Sequence, residues 1–237
     1  MESSASYITA GESCSFAISE GKVYAWGKNT NGQLGPKLNV VDATPRVLKV
    51  CNKFFVKTLS CPFGHVVALT KDKNVITWSN DIRLRGRGEN SKVFADAIEL
   101  QMSDLQDDMG EMDVGYVDCA AGRFHSIAVD MKGRMKVWGL TSESHHRTIA
   151  AQAPDFEENV IWKPKSIDLF NVLISNNDEN FKKLAFGEGT MSLTRIEKIA
   201  VHCFHSIAVS EDQRVYTWGV KKANRCLRLA HCTSQWI

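Results

Sequence analysis

The chain has 237 residues, 43% apolar and 24% charged, and 29 Lys and Arg against 27 Asp and Glu leave a net charge of +2. That is the make-up of one globular domain or two small ones, and no window approaches the roughly 18 uninterrupted apolar residues of a membrane-spanning helix. Basic residues are scattered, which argues against direct nucleic-acid binding, because displacing counterions from phosphates needs a concentrated positive face. The start, Met1 to Ala10, has neither the basic nor the apolar region of a secretory leader. Seven cysteines, from Cys14 to Cys232, include no Cys-x-x-Cys pair. They suit buried thiols in a reducing compartment, so a cytoplasmic or nuclear location is expected.

An internal repeat organises the chain. The first unit reads Ala10-Gly11-Glu12-Ser13-Cys14-Ser15-Phe16-Ala17-Ile18, then a polar turn, then Val23-Tyr24-Ala25-Trp26-Gly27. The second reads Cys61-Pro62-Phe63-Gly64-His65-Val66-Val67-Ala68-Leu69 and, past its turn, Val75-Ile76-Thr77-Trp78-Ser79. The third has Ala121-Gly122-Arg123-Phe124-His125-Ser126-Ile127-Ala128-Val129 and Met135-Lys136-Val137-Trp138-Gly139. The fourth has Val201-His202-Cys203-Phe204-His205-Ser206-Ile207-Ala208-Val209 and Val215-Tyr216-Thr217-Trp218-Gly219. The alanine precedes the tryptophan by nine residues in the first unit and by ten in the others.

Each unit has the pattern of a β-hairpin, two β-rich runs around a polar turn. A further strand pair is expected upstream of the hairpin in three units, with 44–48 leading to 55–59, 97–100 to 117–120, and 163–169 to 196–200. Two strands plus a hairpin make a four-stranded blade, so the fold class is all-β, a β-propeller of four recognisable repeats over 5–219. The units are expected around 5–35, 44–88, 97–139 and 163–219, with 220–237 a divergent tail.

The run from Val23 to Gly35, Val-Tyr-Ala-Trp-Gly-Lys-Asn-Thr-Asn-Gly-Gln-Leu-Gly, preceded by Ala10-Gly11 and followed by Pro45, resembles the repeat of the regulator of chromosome condensation family. The stretch from Gly122 to Val129 and the Val137-Trp138-Gly139 run resemble it as well, while Trp78-Ser79 departs from its Trp-Gly. The resemblance covers 5–219 apart from three enlarged loops. It implies a propeller that is seven-bladed in the family, of which four units are visible here. It also implies a non-enzymatic protein-interaction scaffold, or alternatively guanine-nucleotide exchange on a Ran-like small GTPase. Chromatin association, a third implication, lacks a basic arm before Tyr7.

The repeated residues also have a physical reading of their own. Trp26, Trp78, Trp138 and Trp218 are expected to wedge between neighbouring blades, and Gly27, Gly139 and Gly219 to admit a close backbone behind them. Gly32 and Gly35 suit positive φ. His65, His125 and His205 recur at one place, which Cys14 takes in the first unit. A packing and hydrogen-bonding role is the plainer reading of these histidines, and contact with a protein partner on one propeller face is the functional one.

No catalytic, metal or cofactor site is expected. His202, Cys203 and His205, or Cys226, His231 and Cys232, can be drawn around zinc, but match no two-knuckle spacing. Ser126 and Ser206 follow histidines without a nucleophile elbow, and no phosphate-binding Gly-rich loop exists, so any GTP belongs to a partner. The enlarged loops, among them the acidic stretch 101–113, read most plainly as solvated segments, with partner contact as the functional alternative. Four units of seven-blade curvature would leave both end faces uncovered, so self-association or a complementing chain is expected, against a tight four-bladed ring as the alternative.

Overall fold

The computed structural model describes residues 4–35, 41–88, 98–99, 115–140, 160–167, 195–203 and 205–219; at Ile98, Glu99, Ile167, His205, Trp218 and Gly219 it describes the backbone alone. The tail 220–237 and most of the enlarged loops lie outside these residues. The described chain is a succession of antiparallel sheets. The first sheet holds β1 (Tyr7–Ala10), β2 (Cys14–Ser19), β3 (Lys22–Lys28) and β4 (Val41–Val47) in that order. The second holds β5 (Val56–Ser60), β6 (Val66–Thr70), β7 (Val75–Trp78) and β8 (Ile98–Glu99). The third holds β9 (Tyr116–Ala121), β10 (His125–Asp130), β11 (Met135–Leu140) and β12 (Val160–Ile167), and the fourth β13 (Ile196–Val201), β14 (His205–Ser210) and β15 (Val215–Gly219).

The hairpins fall where the repeat puts them. The strand pairs upstream of them divide differently from the expectation. Arg46 and Val47 pair with Ala25 and Tyr24, Ile98 with Thr77, and Lys165 with Val137. Each of these strands therefore closes the sheet before it and does not open the next, so the sheet boundaries fall at 47–56, 99–116 and 167–196. The cause is hydrogen bonding: the Trp-bearing strand would otherwise be left with an open edge.

Turn chemistry explains the unequal Ala-to-Trp spacing. In the first hairpin Ser19 pairs directly with Lys22, and Glu20 and Gly21 both have positive φ, +51 and +75, the two-residue turn that matches strand twist. The other three turns carry one residue more and a single left-handed residue each: Lys73, Gly133 and Gln213, at φ +65, +79 and +64. In each of them the same strand-end residue gives and takes the closing bonds, as when Asp130 N donates to Arg134 O and Asp130 O accepts from Gly133 N.

Every strand alternates between a forward face, turned to the next sheet, and a backward face, turned to the previous one. In β6 and β10 all residues are buried, because these central strands have a sheet on each side. In β2 the forward-facing Cys14, Phe16 and Ile18 are buried while Ser15 and Ala17 are half-buried. The fourth sheet is the mirror case: Ser206, Ala208 and Ser210 are buried backward and Ile207 is exposed forward. Two apolar clusters fill the seams, one around Phe16, Leu59 and Trp78, the other around Ile127, Trp138 and Tyr216. The described residues thus form an arc whose first and fourth sheets each leave one face open. No helix among them is long and apolar enough to cross a membrane.

Candidate functional site

The seams between sheets account for the repeated residues. Trp78 Nε1 donates to Gln33 O at 2.9 Å, and Trp138 Nε1 to Leu84 O at 3.1 Å, so each indole reaches back into the preceding sheet's loop while its rings are fully buried. Trp26, with no described sheet before it, is only half-buried. Trp218 has its strand position, paired with Ser206. Gly27 and Gly139 have φ +107 and +116, and a Cβ there would lie 2.4 Å from Ser13 O and 2.5 Å from Phe124 O, so the backbone behind each comes close. Gly32 and Gly35 have φ +74 and +92.

His65 and His125 lie in the same seams. His65 Nε2 is 2.8 Å from Ser126 Oγ, and His125 Nε2 is 3.5 Å from Ser206 Oγ; each imidazole thus reaches the serine of the following sheet. Both rings are at most 1% exposed, so neither presents a surface to a partner; they tie blades together. The side chain of His205 lies outside the described residues. Burial pushes the His65 imidazole down to about 4, against the opposing pull of Asp81, so it is neutral near pH 7. A serine, a histidine and a nearby carboxylate look like a nucleophile system, but Ser126 is fully enclosed and has no room for a substrate. At the first seam a valine, Val66, stands where the other two have a serine, and Cys14 replaces the histidine. Its Sγ sits 4.0 Å from that of Cys61.

A cavity of about 570 Å³ opens on the loop face, where the turns of three sheets converge. From the first sheet come Glu12, Lys28 and Asn31; from the second, Phe63, Asp81 and Arg83; from the third, Arg123, Phe124 and Leu140. The Arg123 guanidinium lies 5.4 Å from the Phe63 ring centre and 5.2 Å from that of Phe124, a cation held over two aromatic faces. Phe63 also meets the His202 ring edge-on at 6.0 Å. Arg83 grips Asp81 through Nε at 2.9 Å and Nη2 at 2.7 Å. Burial alone would raise the Asp81 carboxyl, but these bonds outweigh it and hold the group below its ordinary value. Three cations against two carboxylates leave the described rim slightly positive.

The wall is rigid because backbone bonds join its loops across the seam. Glu12 N donates to Pro62 O at 2.8 Å and Asn80 N to Asn31 O at 2.8 Å. Among the described residues, none of the cavity's hydroxyls is bonded to a base: Ser79 Oγ donates to Gly64 O. No group of three His, Cys, Asp or Glu among them is placed to hold a metal ion. The arrangement can bind, by stacking, by charge and through exposed loop groups. Sequence reasoning did not single out Phe63, Arg123 and Phe124. Their signal was an aromatic or cationic residue in the loop just before the recurring histidine, at positions that vary from unit to unit.

Consecutive antiparallel sheets of three or four described strands, packed face to face with Trp78 in the first seam and Trp138 in the second, define a β-propeller repeat protein. The chain carries the repeat of the regulator of chromosome condensation family: the family model described as "Regulator of chromosome condensation (RCC1) repeat" matches residues 20–69. It is 33% identical over 215 residues to the ultraviolet-B receptor UVR8 of Arabidopsis thaliana, covering 90% of this chain and 40% of the receptor. It is 26% identical over 212 residues to the guanine nucleotide exchange factor SRM1 of Saccharomyces cerevisiae, covering 86% of this chain and 38% of that protein. In fold it is similar to Prp20p from Saccharomyces cerevisiae, with a TM-score of 0.63 and 20% identity over 92% of this chain and 46% of that one. The chain spans less than half the length of each of these proteins.

Proposed function

We propose that this chain is a non-enzymatic protein-interaction module that holds a protein partner on its loop face. The observation that supports the reading is the Arg123 guanidinium stacked over Phe63 and Phe124 at the mouth of a cavity walled by three sheets. Clustered aromatic and arginine side chains on a rigid wall are what dominate the energetics of protein contacts. A cytoplasmic or nuclear setting, with thiols kept reduced, goes with this reading. The test compares the proteins retained from lysate by the wild-type chain and by Arg123→Glu, with melting temperature as the control. A partner lost in the variant at unchanged stability is the expected result; a partner retained equally would overturn the assignment of the face.

The second reading is nucleotide exchange on a small GTPase. It is favoured by the likeness to a protein named a guanine nucleotide exchange factor and to Prp20p, whose structure was described together with its binding to Gsp1p and histones. Accelerated release of a fluorescent GDP analogue from a Ran-like GTPase, diminished by Arg123→Glu, is the expected outcome under this reading. Release at the intrinsic rate would leave the binding module alone.

A further inference from the structure

The three internal junctions are built alike, and the two ends of the arc carry the two halves of a fourth. At each junction the carbonyl of a left-handed turn residue accepts the amide that opens the next sheet: Gly21 from Val56, Lys73 from Tyr116, Gly133 from Ile196. The fourth sheet repeats the forward half. Gln213 has the same left-handed turn conformation and is exposed. Ile207 is 43% exposed where its equivalents Phe16, Val67 and Ile127 are buried, and Val209 and Val215 are only partly covered.

The first sheet repeats the backward half. Ala17, Tyr24 and Trp26 are half-buried, whereas Ala68, Ala128 and Ala208, Ile76 and Tyr216, and Trp78 and Trp138 are buried at the same positions. Ile8, opposite Ala17 in the ladder, is 75% exposed. We infer that the forward face of the fourth sheet in one copy docks on the backward face of the first sheet in a second copy, and that two copies close head to tail into a ring of eight sheets. One chain carries both halves of the junction, so a second copy supplies what each end lacks. The chain spans 46% of the Prp20p chain. Two copies together come to about the length of that chain. A contact between unlike surfaces forms a closed ring when its rotation completes a circle, and closure removes the exposed apolar faces from water.

The test is size-exclusion chromatography with light scattering on the whole chain, on Ile207→Asp and on Ile8→Asp, with circular dichroism melting as the folding control. Both isoleucines are exposed, so both variants stay folded. The wild type is expected to run as a dimer and each variant as a monomer. An equimolar mixture of the two variants should regain dimer, because one of its two junctions pairs an unaltered fourth sheet with an unaltered first. A wild-type monomer, a dimer that survives both substitutions or is lost to only one, or a ladder of larger species would each overturn the head-to-tail ring.

Discussion

His65 Nε2 meets Ser126 Oγ at 2.8 Å across the seam between the second and third sheets, where neither side chain touches solvent. The imidazole is held neutral by burial, with its pKa lowered to about 4, whereas in the unfolded chain it titrates near its ordinary value of 6.5. Between those two values the unfolded state binds more protons than the folded one, so stability rises with pH there. The contribution is fully present above about pH 6.5 and is lost as pH falls towards 4, by at most about 3 kcal/mol. Urea midpoints recorded across that window should fall steeply for the wild type and less for His65→Gln, which keeps a donor for the serine and cannot titrate. Equal slopes would mean that His65 is not the group responsible.

Trp138 is fully buried and bonded to Leu84 O, and Trp26 occupies the same repeat position half-buried. Trp138→Ala should cost about 3 to 5 kcal/mol, and Trp26→Ala no more than about 2 kcal/mol. Chemical denaturation of the two variants separates them; equal losses would mean that the first sheet's backward face is already covered.

The buried thiols should differ in reactivity. A hydrogen bond from Cys61 lowers the Cys14 thiol despite its burial, while burial raises Cys61 and Cys119 and pushes Cys51 up to about 12. Since the thiolate is the nucleophile, alkylation followed by mass spectrometry should modify Cys14 ahead of these three. Cys61→Ala removes the donor and should slow the modification of Cys14, whereas Cys61→Ser should largely preserve it. Modification of Cys51 or Cys119 first would contradict the order.

Gly32 has φ +74, and a Cβ there would fall 2.3 Å from Oδ1 of the exposed Asn80. Gly32→Ala should cost about 1 to 2 kcal/mol, mostly from the left-handed backbone, because the Asn80 side chain can swing away. Adding Asn80→Ala should therefore recover little of the loss in thermal melts. Full recovery would place the cost in the side-chain clash.

Much of this architecture is written locally. The alternation in Cys14-Ser15-Phe16-Ala17-Ile18, the turn residues Glu20-Gly21, and the glycines after Trp26 and Trp138 are decisions between neighbours in sequence, and the four-fold recurrence of the pattern identified the repeat. The nine-residue spacing of the first unit is legible in the same way, as a two-residue turn against a three-residue one.

Pairing and burial were decided elsewhere. Whether the 41–47 stretch closes one sheet or opens the next depends on which edge has unpaired backbone groups, and that is settled only once β3 stands beside it. His65 and Ser126 are 61 residues apart, and the histidine becomes a seam bond, with no surface left for a partner, because the next blade arrives against it. The loop cavity is likewise a product of three sheets meeting: Phe63, Arg123 and Phe124 are ordinary loop residues in sequence, and only the packing of the second sheet on the third sets a cation over two rings. Local sequence fixes strand, turn and repeat because those depend on near neighbours. Edges, seams and sites belong to the tertiary structure because they form between groups the chain keeps far apart.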